Sequence, residues 1–103
     1  MKQFLISYTF TEGSEEEWHQ KVREFIENLK THPLLAGKIS YTCFKSKKDA
    51  SYYHLAQVVD EDVVKTLGEQ DFFTAYTRLT EQVGGGNVTV TPLEVIAQTG
   101  PLA

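Results

Sequence analysis

Residues 52–83, YYHLAQVVDEDVVKTLGEQDFFTAYTRLTEQV, decide how the rest of the chain is read. Residues 52–59 are rich in aromatic and β-branched side chains, which suit a pleated, half-buried surface and predict a strand. Asp60, Glu61 and Asp62 follow. They put negative charge where a helix begins, beside the partial positive charge of its first turn. Gly68 interrupts that helix, and Asp71 is placed to cap a second one. Phe72, Tyr76, Leu79 and Val83 then recur at helical spacing and share one face.

Upstream, residues 3–10 alternate. Phe4, Ile6, Tyr8 and Phe10 point one way, and Gln3, Leu5, Ser7 and Thr9 the other, which predicts a first strand with one strongly apolar face. Ser14 and Glu17 form an S-x-x-E capping box ahead of the apolar stripe Trp18, Val22, Phe25, Ile26 and Leu29. That helix runs to about Lys30 and stops before Pro33, because the residue preceding a proline avoids the helical region. A second strand over 38–45 places Ile39, Tyr41 and Cys43 on one face, and 46–50 is the length of a hairpin loop. Downstream, Gly84, Gly85 and Gly86 break the chain. A last strand is expected over 87–97, with Pro92 marking an edge or a bulge because it cannot donate to a ladder.

The order is therefore β-α-β-β-α-β. Right-handed crossovers of such units give an α+β, ferredoxin-like fold: a four-stranded antiparallel sheet with its helices on one face. At 103 residues the chain reads as a single domain, with 98–103 a loose tail. The sheet's second face is left uncovered. Its members include Leu5, Phe44 and one parity of the third strand, either Tyr52/His54/Ala56/Val58 or Tyr53/Leu55/Gln57/Val59. An open apolar sheet face on a small domain marks an interface, and a self-complementary homodimer is the commonest solution.

Composition narrows the partners. A net charge of −4 argues against nucleic acid, which selects a basic face. No apolar run approaches the ~18 residues of a membrane span, and the N-terminus lacks a signal-peptide pattern. A single cysteine, Cys43, makes no internal disulfide and reads as a small buried apolar residue. A cytoplasmic location is the expectation.

With these elements in hand, the chain resembles the dimeric α/β-barrel superfamily, and within it the antibiotic-biosynthesis-monooxygenase type. The likeness spans nearly the whole length. It rests on the Gly13 corner before a capped helix and on 58–76, where a strand runs into an acidic turn, a short helix, and a second helix opened by Phe72-Phe73. The resemblance implies two copies packed sheet to sheet. It also implies cofactor-free oxygenation of a phenolic, quinol or polyketide-like molecule. Where that family often carries a Glu and a Trp on the third strand, this chain has Gln57 and Val59. Where it often carries histidines near the second helix, this chain has Leu67 and Phe72. The positions matching the Asn and His of the haem-degrading branch are Ile6 and Tyr76, so no haem and no other cofactor is implied.

The candidate chemistry is correspondingly sparse. His54, mid-strand among tyrosines, is the candidate base, since imidazole titrates near neutrality; its commoner role would be a hydrogen-bonded interface residue. Gln57 is the polar outlier of an apolar strand and the candidate orienting group. Tyr8, Trp18, Tyr41, Tyr53, Phe73 and Tyr76 are the expected lining of an aromatic pocket between sheet and helices, or else core. His19 and His32 read as boundary or surface residues, and the three histidines are not spaced as metal ligands. Glu15, Glu16 and Glu17 read as a solvated helix start, and the glycine run is not a phosphate loop because no Lys-Ser/Thr follows it. The residues leave two further readings open beside an oxygenase: a non-catalytic dimeric ligand-binding or stress-related module, and another enzyme of the superfamily, such as a lactone isomerase.

Overall fold

The computed structural model describes residues 1–100. In chain order it contains β1 (Lys2–Thr9), α1 (Glu15–Thr31), β2 (Ile39–Lys45), β3 (Ser51–Val58), α2 (Glu61–Gly68), α3 (Asp71–Val83) and β4 (Thr89–Leu93). The strands form one antiparallel sheet in the order β2-β3-β1-β4. This is the expected ferredoxin-like arrangement, with β1 and β3 central and β2 and β4 at the edges.

Local signals set most element ends. Ser14 is extended, and its hydroxyl accepts from the Glu17 amide at 3.3 Å, capping α1. At the other end His32 leaves the helical region immediately before Pro33, while its amide still reaches the Asn28 carbonyl at 3.0 Å. Asp60 caps α2 by accepting from the Val63 amide at 3.0 Å. The start of α3 differs from expectation. Asp71 is its first helical residue, and Gln70 sits at the cap position without a capping bond. The Gln70 side chain is engaged elsewhere: its amide donates to the Thr66 carbonyl at 2.9 Å, and its oxygen lies 3.1 Å from His32 Nε2. Tethering α2 to the end of α1 has displaced local capping there.

The last strand is shorter than the 87–97 expected. Only Thr89–Leu93 pairs with β1, and 94–100 carries no regular structure. Pro92 lies on this outer strand opposite Phe4, where a missing N–H costs no interior ladder bond. The glycine turn before β4 is required twice. Gly85 has φ +62, a left-handed conformation that side chains resist, and a Cβ on Gly84 would stand 3.1 Å from Tyr8 Cβ. Of the expected tail 98–103, residues 101–103 lie outside the described residues.

The register decides the parity left open by the sequence. Tyr8 pairs with Tyr52, Ile6 with His54 and Phe4 with Ala56, so Tyr52, His54, Ala56 and Val58 face the helices. All four are buried. Ser7 pairs with Tyr53, Leu5 with Leu55 and Gln3 with Gln57, which puts Tyr53, Leu55 and Gln57 on the uncovered face. There Phe44, Tyr53 and Leu93 are 50%, 41% and 42% exposed, an apolar surface that none of the described elements covers.

Candidate functional site

Behind the sheet, α1 and α3 bring aromatic rings down onto His54. Trp18, Val22, Phe25 and Leu29 are the buried stripe of α1, and Tyr76 is a buried residue of α3. Tyr76 stacks on Phe25 with centroids 3.8 Å apart and on Trp18 at 5.6 Å. Tyr8 stacks on Tyr52 at 5.5 Å. His54, with 0% of its surface exposed, lies at the centre.

Its two ring nitrogens are both engaged. Nε2 is 2.7 Å from the Tyr8 hydroxyl, which also accepts from the Trp18 indole N–H at 2.7 Å. Nδ1 is 2.5 Å from the Tyr41 hydroxyl and 3.1 Å from that of Tyr76, and those two hydroxyls are 3.0 Å apart. Four residues expected to line a pocket are thus brought together with the candidate base. They fill the space themselves: the rings close on one another as core. The remaining candidates fall outside. Phe73 packs on Phe25 at 6.3 Å. Tyr53 and Gln57 lie on the opposite sheet face from His54, because neighbouring residues of a strand point to opposite sides. Gln57 bonds there to Gln3 at 3.3 Å and cannot orient a molecule held by His54.

Burial sets the charge state of this cluster. It pushes the His54 imidazole from its ordinary 6.5 down to about 4. It pushes the hydroxyls of Tyr8, Tyr41 and Tyr76 well above the usual phenol range. At neutral pH the network is uncharged throughout, a set of neutral donors and acceptors in a low-dielectric site. A pH dependence follows. Between about pH 6.5 and 4 the unfolded chain binds a proton at His54 that the folded chain refuses, so stability falls as pH is lowered through this window. The full effect is about 3 kcal/mol. Denaturant unfolding across that range checks it against His54→Gln, in which the slope should flatten; parallel profiles for the two proteins would refute the assignment.

A cleft of about 400 Å³ opens one layer outward, between α1 and the edge strand β2. Val22, Ile26, Tyr41 and Cys43 supply apolar wall, and His19, Arg23, Lys45 and Tyr52 supply polar groups. Tyr41 is the one member of the His54 network that lines it. Cys43 lies on the face its alternation predicts but is half-buried in this wall, not fully buried, and burial pushes its thiol up to about 11. At the mouth Tyr52 donates to Glu15 Oε2 at 2.5 Å, and the same oxygen receives Lys45 Nζ at 2.8 Å. His19 Nε2 is 2.7 Å from the Tyr52 hydroxyl.

Sequence reasoning read His19 as a boundary residue and Glu15 as a helix start. Each is that, but His19 also lines the cleft, and Glu15 bonds two of its lining residues, Lys45 and Tyr52. The signal that could have found them is their i, i+4 spacing, which puts both on the α1 face beside Tyr52. Among the described residues no three His, Cys, Asp or Glu side chains converge as metal ligands.

No protein-family model matches the sequence. No curated protein matches it. Solved structures do. An antibiotic biosynthesis monooxygenase superposes with a TM-score of 0.76 at 15% identity, over 94% of this chain and 100% of that one. SnoaB, a cofactor-independent oxygenase from Streptomyces nogalater, superposes with a TM-score of 0.77 at 16% identity, over 97% of each chain. The chain has the antibiotic-biosynthesis-monooxygenase fold. Rv0793 from Mycobacterium tuberculosis shares that fold at 9% identity, with a TM-score of 0.76 over 96% of this chain and 98% of that one. At such identities the likeness establishes the monooxygenase-like fold and leaves the reaction to the residues themselves. No helix of the described residues is long and apolar enough to cross a membrane.

Proposed function

We propose that this chain is a homodimeric, cofactor-independent oxygenase that takes a planar phenolic or polyketide-like molecule into the cleft between α1 and β2. One observation carries this reading: Tyr41 is at once a wall of the cleft and a 2.5 Å partner of an uncharged, buried imidazole. A phenol lying against Tyr41 can pass its proton to the Tyr41 oxygen while Tyr41 passes its own to His54 Nδ1. The anion left behind is the electron donor. For an anthrone-type substrate the methylene loses two hydrogens and gains one oxygen atom from O₂, and the second oxygen leaves as water. The apolar walls keep bulk water from the carbanion. The proton taken up through Tyr41 leaves with the second oxygen as water. The uncovered sheet face, with Leu5, Phe44, Tyr53 and Leu55, is the surface for the second copy.

The test is oxygen consumption with an anthrone or a hydroquinone. Turnover is expected, and Tyr41→Phe, which keeps the ring and removes the relay hydroxyl, should lower kcat at least about tenfold with little change in KM. A specific observation favours a second reading, a dimeric binding module of the same fold. An imidazole held at about 4 is a weak base, and its neighbours already satisfy both its nitrogens. Saturable binding without oxygen uptake would establish the module and overturn the oxygenase.

A further inference from the structure

The mouth of the cleft holds a small anion site that the chain occupies with its own carboxylate. Lys45 Nζ and the Tyr52 hydroxyl converge on one oxygen of Glu15, at 2.8 and 2.5 Å. Proton accounting orients the rest. Tyr52 has one hydroxyl hydrogen and gives it to Glu15, so His19 Nε2, 2.7 Å away, donates to the Tyr52 oxygen. Donors are thus chained from His19 through a fully buried hydroxyl to the carboxylate. Arg23 adds a second cation on the same cleft. The carboxylate itself stays partly open to solvent. It belongs to the first residue of α1, its side chain is 42% exposed, and a half-exposed ion pair stabilises little. Tyr52 is anchored in the sheet and fully buried, whereas Glu15 and Lys45 are half-exposed side chains.

We infer that Glu15 stands in for the acidic group of the cleft's ligand, and that this ligand is an aromatic acid. Its ring would lie against Val22, Ile26 and Tyr41, and its carboxylate would take Lys45 and Tyr52 as Glu15 withdraws. This rests on the reading that the cleft takes an aromatic molecule, and it adds the charge and a residue that competes for it. Charge complementarity supports it: Lys45 and Arg23 are the cations of the cleft, and Glu15 is the carboxylate bonded to its edge through Lys45.

The test compares 2-naphthoate with its neutral amide, 2-naphthamide, by calorimetric titration of the full chain. The ring NMR signals of His19 and Tyr52 report the location. Glu15→Gln keeps an acceptor for Tyr52 and removes the competing charge. It should tighten 2-naphthoate about tenfold, or about 1.4 kcal/mol, and change 2-naphthamide by less than about twofold. Adding Lys45→Met should abolish the gain, and Glu15→Asp, whose shorter side chain withdraws from Lys45, should give part of it. If Glu15→Gln lowers thermal stability but leaves both affinities unchanged, Glu15 is only a tie between α1 and the sheet; the inference fails and the aromatic cleft stands. If neither compound moves the His19 or Tyr52 signals in any variant, both fail.

Discussion

Replacing His54 by alanine is expected to lower the melting temperature by roughly 12–24 °C. The change strips a fully buried side chain from the centre of four others. Tyr41 and Tyr76 keep each other at 3.0 Å and Tyr8 keeps Trp18, but the imidazole nitrogens both sides converge on are gone. A buried polar group left short of a partner costs about 1–3 kcal/mol, and the space left by the ring adds a cavity penalty. The sum is about 3 kcal/mol, a large share of the ~5–15 kcal/mol that holds a domain together. In a domain of this size each 1 kcal/mol moves the midpoint by about 4–8 °C. Calorimetry or circular dichroism above pH 7 measures it. A drop under about 4 °C would mean that the aromatic stack, not the imidazole, carries the centre.

Leu55→Glu is expected to convert the proposed dimer into a folded monomer. Leu55 sits in the middle row of the uncovered face, beside Leu5 on β1 and Thr42 on β2. In one copy alone a glutamate there meets water, because none of the described elements covers that face, so the fold should survive with an unchanged far-ultraviolet spectrum. In a two-fold dimer the substitution enters twice and sets two carboxylates against apolar surface near the axis. Burying unpaired charge costs several kcal/mol per ion, enough to separate the subunits at micromolar concentration. Sedimentation velocity distinguishes the outcomes. A wild-type protein that sediments as a monomer removes the premise, and with it the partner that covers Phe44, Tyr53 and Leu93.

The elements themselves were legible because each rests on neighbours in sequence. Alternation along 3–10, the Ser14 cap, the α1 stripe and Pro33 are short-range patterns, and the structure places β1 and α1 where they point. The structure departs from local rules where a distant partner overrides them. Gln70 leaves α3 without a side-chain cap because it bonds His32, 38 residues away in the chain. The last strand ends at Leu93 because its pairing with β1 ends at Gln3.

The site divides along the same line. The sequence alone marked His54 and its tyrosines as the unusual residues of an aromatic chain, and it marked a sheet apolar on both faces. It could not say that Tyr53 and Gln57 turn away from His54, because alternation defines two faces but not which one the helices cover. That choice belongs to the register between β1 and β3, residues some fifty positions apart. Nor could it show that Tyr8, Trp18, Tyr41 and Tyr76 would meet on one imidazole and close the expected pocket, leaving the opening between α1 and the edge strand. Hydroxyl, indole and imidazole groups 10 to 46 residues apart meet only after helices and sheet have docked. Local chemistry thus determined the elements, and docking decided which side chains share a site.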